Sequence, residues 1–150
     1  MKNLGLFKKV VLVLILTVGL GVFANSNFIP FNWLKSKLIQ LAKLRKESIN
    51  NPKLLANYFK VFGEVSSRVA VAIDNGNEKV IELLEKIARK NSGNKALVFE
   101  VENLLDDILQ TVKFWTIQAK NYNSEKVNYY KRVFRKVKEA KGTVRYILNK

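Results

Sequence analysis

From residue 30 onward, apolar residues recur at intervals of three and four, the period of helices with one buried face. The best run is Leu55, Tyr58, Phe59, Phe62, Val65, Val69, Ala72 and Ile73. Alternation with period 2 fails there, which rejects a strand. The stretch is opened by Asn50-Asn51-Pro52, with Pro52 suited to a first helical turn, and closed by Asp74-Asn75-Gly76-Asn77. Upstream, Asn32 is a candidate N-cap. Leu34, Leu38, Leu41 and Ile49 give an approximate stripe for a helix to about Ser48.

Downstream, Val80, Ile81, Leu84, Ile87 and Ala88 predict a third helix from about Glu78 to Lys90. Acidic residues at its start and basic ones at its end suit the helix dipole. After Asn91-Ser92-Gly93, a long stripe from Leu97 through Leu104, Leu105, Ile108 and Val112 to Trp115 predicts a fourth helix reaching about Ala119. Ser124, with Glu125 beside it, is placed as the N-cap of a fifth helix. That helix carries Val127, Tyr130, Val133, Phe134, Val137 and Ala140 and stops near Gly142, leaving Thr143–Lys150 as a short tail, either a loose end or packed as helix. The expectation is an all-α fold, a bundle of four to five antiparallel helices joined by short loops. No fixed-period repeat interrupts it.

The N-terminus follows another pattern. Lys2, Lys8 and Lys9 precede an uncharged, mostly apolar run from Val10 to Ala24, and polar Asn25-Ser26-Asn27 follows. A positive start, a short apolar run and Val22-Phe23-Ala24 at the possible cut describe a secretory signal peptide. The run is short of the roughly 20 residues of a spanning helix, and an uncleaved N-terminal membrane anchor is the alternative. The expected organisation is therefore residues 1–24 as signal or anchor and 25–150 as a single helical-bundle domain. Its expected place is extracytoplasmic, whether secreted, periplasmic or at the cell surface.

Composition removes many activities. The chain has no His and no Cys. That excludes a Ser-His-Asp triad, a Cys nucleophile, disulfides, lipoprotein processing and zinc sites on nitrogen or sulfur ligands. Glu78, Glu82 and Glu85 recur at helical spacing, as do Glu102 and Asp106, but such carboxylates read as a solvated face. Asp74 to Glu85 has the length of a calcium loop, yet Gly76 stands where a ligand belongs and Lys79 where the turn glycine belongs. No glycine-rich phosphate loop, GxSxG or SxxK occurs. The expectation is no catalytic residue, no metal and no cofactor.

Charge is divided along the chain. Residues 25–60 hold seven basic residues against one acidic, residues 61–112 six against nine, and residues 113–150 eleven against two. The fifth helix concentrates the excess. Val127, Tyr130, Val133, Phe134 and Val137 share one side, and Lys131, Arg132, Arg135, Lys136 and Lys138 the other. Those five cations are the candidate anion-binding residues, and the partner expected is an anionic membrane surface or an acidic envelope polymer. Two alternatives stand beside it. In one, a structural or assembly protein packs its basic helix on acidic segments of itself or of a neighbouring copy. In the other, a membrane-anchored nucleic-acid binder stacks bases on Tyr122, Tyr129, Tyr130 and Tyr146, which the export signal disfavours.

Pro30, Trp33 and Lys35 at the entry, Glu64, Arg68 and Ala72 at helical spacing, and Gly76-Asn77 before the next amphipathic helix carry a resemblance. From about residue 30 to 87 the chain resembles a family of uncharacterised helical domains that follow signal peptides in bacterial envelope proteins. Trp33 stands where that family often has Tyr, and the acidic residue that often follows the Arg is absent. The resemblance implies an all-helical envelope domain and no active site.

Overall fold

The computed structural model describes residues 27–150, and the expected export segment, residues 1–24, lies outside them. The described chain is all-helical: α1 (Phe31–Ser48), α2 (Pro52–Asp74), α3 (Lys79–Lys90), α4 (Lys95–Tyr122) and α5 (Val127–Leu148), with a short 3-10 turn at Ser124–Lys126 before α5. Among the described residues, no helix is long and apolar enough to cross a membrane.

Local chemistry sets most of the boundaries. Asn51 accepts a hydrogen bond from the Lys53 amide at 3.2 Å, and Pro52 occupies the first turn of α2, where its missing N–H costs nothing. Asn94 likewise caps α4 by accepting from the Leu97 amide at 3.2 Å. The α2–α3 turn passes through Gly76 at φ 102°, a conformation that disfavours any side chain with a Cβ. Asn27 donates its side-chain amide to the Asn75 carbonyl at 3.2 Å and accepts from the Asn77 side chain, so the entry segment is tied to this turn. Ile29 is buried, while Phe28 is exposed.

α4 is the axis of the bundle, since it packs on each of the other four helices and most extensively on α5. At 1.5 Å per residue it is about 42 Å long. The core draws Leu34, Leu38 and Leu41 from α1, Val65, Val69 and Ile73 from α2, Leu84 and Ile87 from α3, Leu104 and Ile108 from α4, and Val133 and Val137 from α5. Burying each such side chain contributes about 1.5–3 kcal/mol.

Three expectations are corrected. Ile49 is not part of the α1 stripe; it lies past the helix end and is exposed. The fifth helix does not stop at Gly142. It continues to Leu148 because Val144 falls on the same face as Val137 and Ala140 and is fully buried. Packing there outweighs the cost of an interior glycine, about 1 kcal/mol. The expected cap at Ser124 is also displaced. Ser124 opens the 3-10 turn, and α5 starts from Lys126 with no side-chain cap.

Candidate anion-binding surface

The five predicted cations divide into two sets. Arg132 donates through Nε to Glu78 Oε1 at 2.9 Å, and Lys136 Nζ lies 3.5 Å from Glu78 Oε2. Glu78 sits at the cap position of α3, so these two side chains bind α5 to the start of α3. The hydrogen bond from Arg132 holds the Glu78 carboxyl below its ordinary value. Slight burial opposes this, and the Lys136 charge adds to it.

Lys131, Arg135 and Lys138 form the second set. They fall within about 60° of one another around α5. All three are exposed, and among the described residues none makes an ion pair or hydrogen bond. Toward the α4 side of this stripe the charge is again compensated. Lys141 Nζ lies 2.8 Å from Asp106 Oδ1, and Arg145 is 3.1 Å from Glu102 Oε1. At the start of α5, Lys126 is 3.3 Å from Asp74, whose same oxygen accepts the Tyr130 hydroxyl at 2.6 Å. Tyr129 donates to the Ile73 carbonyl, and burial, with the nearby Glu78 and Asp74 charges, pushes its phenol up to about 12. The outward stripe is thus a strip of unpaired charge between two lines of internal ion pairs.

Comparison with protein-family models, with curated proteins and with solved structures gives no match to this chain.

The carboxylates that helical spacing singled out are mostly engaged. Glu78, Glu102 and Asp106 face α5 cations, and Glu85 pairs with Arg89 at 3.4 Å one turn along α3. Among the described residues no three acidic side chains converge as a cation cage would require. The buried polar groups belong to the core instead. Glu100, on α4, receives Arg45 from α1 and the Tyr58 hydroxyl from α2 at 2.6 Å, and Asn103 donates to that hydroxyl at 3.2 Å. Ser66 donates to the buried Asp107. The tryptophans pack at the rim. Arg68 lies 4.2 Å over the Trp33 ring, and Trp115 sits 5.6 Å from Tyr130. Tyr130 is in the core, while Tyr122 and Tyr146 are exposed.

Sequence reasoning missed Lys113 and Lys120 of α4. With Thr116 and Ile117 they form one helical stripe. It borders a groove of about 260 Å³ whose other wall is Lys131 and Phe134 of α5. The spacing of 113, 116, 117 and 120 is visible in the chain, but nothing local says that this stripe lies beside the free cations of α5.

Proposed function

We propose that this chain is an exported, non-enzymatic helical-bundle protein of the cell envelope. It binds an anionic partner, lipid head groups or an envelope polymer, through the basic face of α5. The observation that carries the reading is the stripe of Lys131, Arg135 and Lys138, exposed and without internal carboxylate partners among the described residues. Unpaired cations on one helical face concentrate positive potential where an anionic surface meets it. Arg132 and Lys136 flank the stripe and act mainly through Glu78. The pattern of residues 1–24 supports export, and the resemblance of residues 30–87 to helical envelope domains points the same way. The short connections support an antiparallel order of neighbouring helices.

The test is sedimentation of residues 27–150 with phosphatidylglycerol vesicles, phosphatidylcholine vesicles serving as control. The protein pellets with the anionic vesicles at low salt and is released as the screening length shrinks toward about 8 Å at physiological ionic strength and below. Replacing Lys131, Arg135 and Lys138 by Glu abolishes pelleting. Soluble polyphosphate that releases the wild type without vesicle selectivity assigns the face to a polymer rather than to lipid. Equal pelleting of wild type and triple variant overturns the reading.

A second reading is favoured by a specific observation. Lys126, Arg132, Lys136, Lys141 and Arg145 all pair with acidic residues between 74 and 106. On that reading α5 is basic in order to pack on the acidic middle of its own chain or of a neighbouring copy. Light scattering tests the neighbouring-copy form, which requires oligomers that grow with concentration, and the own-chain form is separated by vesicle sedimentation, where it predicts no pelleting of the wild type.

A further inference from the structure

Past Val112, Ala119 is the only buried residue of α4, so the last third of that helix is covered on one side only. The groove described above opens there, between α4 and the first turns of α5. Its floor is apolar. Ile117 is 53% exposed and Phe134 is half-buried. The Thr116 hydroxyl donates to the Val112 carbonyl at 2.8 Å and so presents chiefly its methyl group. Its rim carries Lys113, Lys120 and Lys131, and among the described residues no carboxylate lines it. None of these three ammonium groups makes an ion pair among the described residues.

An occupant that satisfies this groove brings an apolar segment and a negative charge together. A second copy docked groove to groove is a poor match, since the surface around the groove is basic and would meet its like. The volume of about 260 Å³ lies just under the roughly 300 Å³ at which ligand pockets usually begin, which suits one extended chain. We propose that the groove seats a single-chain anionic amphiphile. Its acyl segment lies along Ile117 and Phe134, and its phosphate head is held among Lys113, Lys120 and Lys131. The proposal rests on the reading that α5 meets anionic lipid, and it gives that reading a defined site. The ammonium groups act as compact charges on flexible stems, which suits a head group that must be reached from several directions.

The experiment uses the full chain in phosphatidylcholine vesicles doped with dodecyl phosphate carrying a terminal photoreactive diazirine. After illumination, the labelled peptides are mapped by mass spectrometry. A neutral dodecyl alcohol with the same diazirine is the control. The expected result is label on peptides holding Ile117 or Phe134, at least about ten-fold above that from the neutral probe. Ile117→Asn, and separately the pair Lys113→Glu and Lys120→Glu, reduce it by a similar factor. These are exposed positions, and helical circular dichroism of each variant confirms that it is folded. Equal labelling by the neutral probe overturns the proposal, as does label there that the variants leave unchanged. Label confined to residues outside 113–134 overturns it too. Crosslinks between copies at Ile117 that exclude the probe assign the groove to self-association and also overturn it. Vesicle sedimentation of the Lys131, Arg135 and Lys138 variant is read separately. Charge-dependent pelleting with an unlabelled groove removes the groove alone. A labelled groove with charge-independent pelleting removes the surface reading and leaves a site for free amphiphile.

Discussion

Glu78 stands at the cap of α3 and holds both Arg132 and Lys136 of α5. A carboxyl held below its ordinary value in the folded state contributes stability above its unfolded value of about 4.3. That contribution is lost as pH falls through the lowered folded value. Melting temperature therefore falls less steeply on acidification below about pH 4.3 in Glu78→Gln than in the wild type. The same substitution releases two cations beside the free stripe. It therefore strengthens vesicle pelleting at neutral pH, while the melting temperature there drops slightly. A variant that melts like the wild type at every pH, or binds vesicles less well, would count against this role for Glu78. Residue-level chemistry also explains the buried carboxylate of Glu100, fully enclosed yet met by Arg45 and Tyr58. Removing one partner of a buried charge strands the other. Arg45→Leu is expected to cost about 3 kcal/mol in urea unfolding, and Arg45→Leu with Glu100→Gln markedly less.

At the scale of the element, two glycines make opposite demands. Gly142 lies within α5, and a Cβ added there would meet nothing within 4 Å. Gly142→Ala is expected to stabilise the protein by about 1 kcal/mol, read as a higher unfolding midpoint. Gly76 has equally open surroundings but sits at φ 102°, so Gly76→Ala is expected to destabilise by about 1 kcal/mol. Space is the same at both positions, and backbone conformation alone sets the sign. The helices themselves were legible for a related reason. α2 and α3 have strong periodicity and are bounded by Pro, Asn and Gly, whose effects are local, and their ends fall within a residue of the expectation. α5 ran past its expected end because Gly142 is a weak local signal against the burial of Val144, which only packing on the rest of the bundle supplies.

Taken as a whole molecule, the chain folds so that its charge blocks face one another. Five cations from residues 126–145 reach acids between residues 74 and 106, and Arg45 from the first block reaches Glu100 in the middle one. The five α5 pairs are screened and individually weak, so they select the arrangement more than they hold it together, whereas the Arg45–Glu100 pair is buried on the Glu100 side. The apolar core carries the stability, and what remains of the charge becomes surface. The net excess of the last block was legible by counting. Its division into paired and free cations was not, because that division depends on which acid lies across the interface.

What the sequence by itself determined is therefore the helical class, most helix boundaries, the exclusion of His- and Cys-based chemistry, and the concentration of positive charge in the last block. Each follows from residue types and spacings that act over a turn or two of chain. Only the tertiary structure decided that, among the described residues, Lys131, Arg135 and Lys138 have no ion-pair partner while Arg132 and Lys136 share Glu78. It alone brought Lys113 and Lys120 of α4 beside Lys131 of α5. The physical reason is range. Periodicity reports which side of a helix is apolar, whereas the partner of an ion and the walls of a groove come from residues tens of positions away that meet only when the core closes.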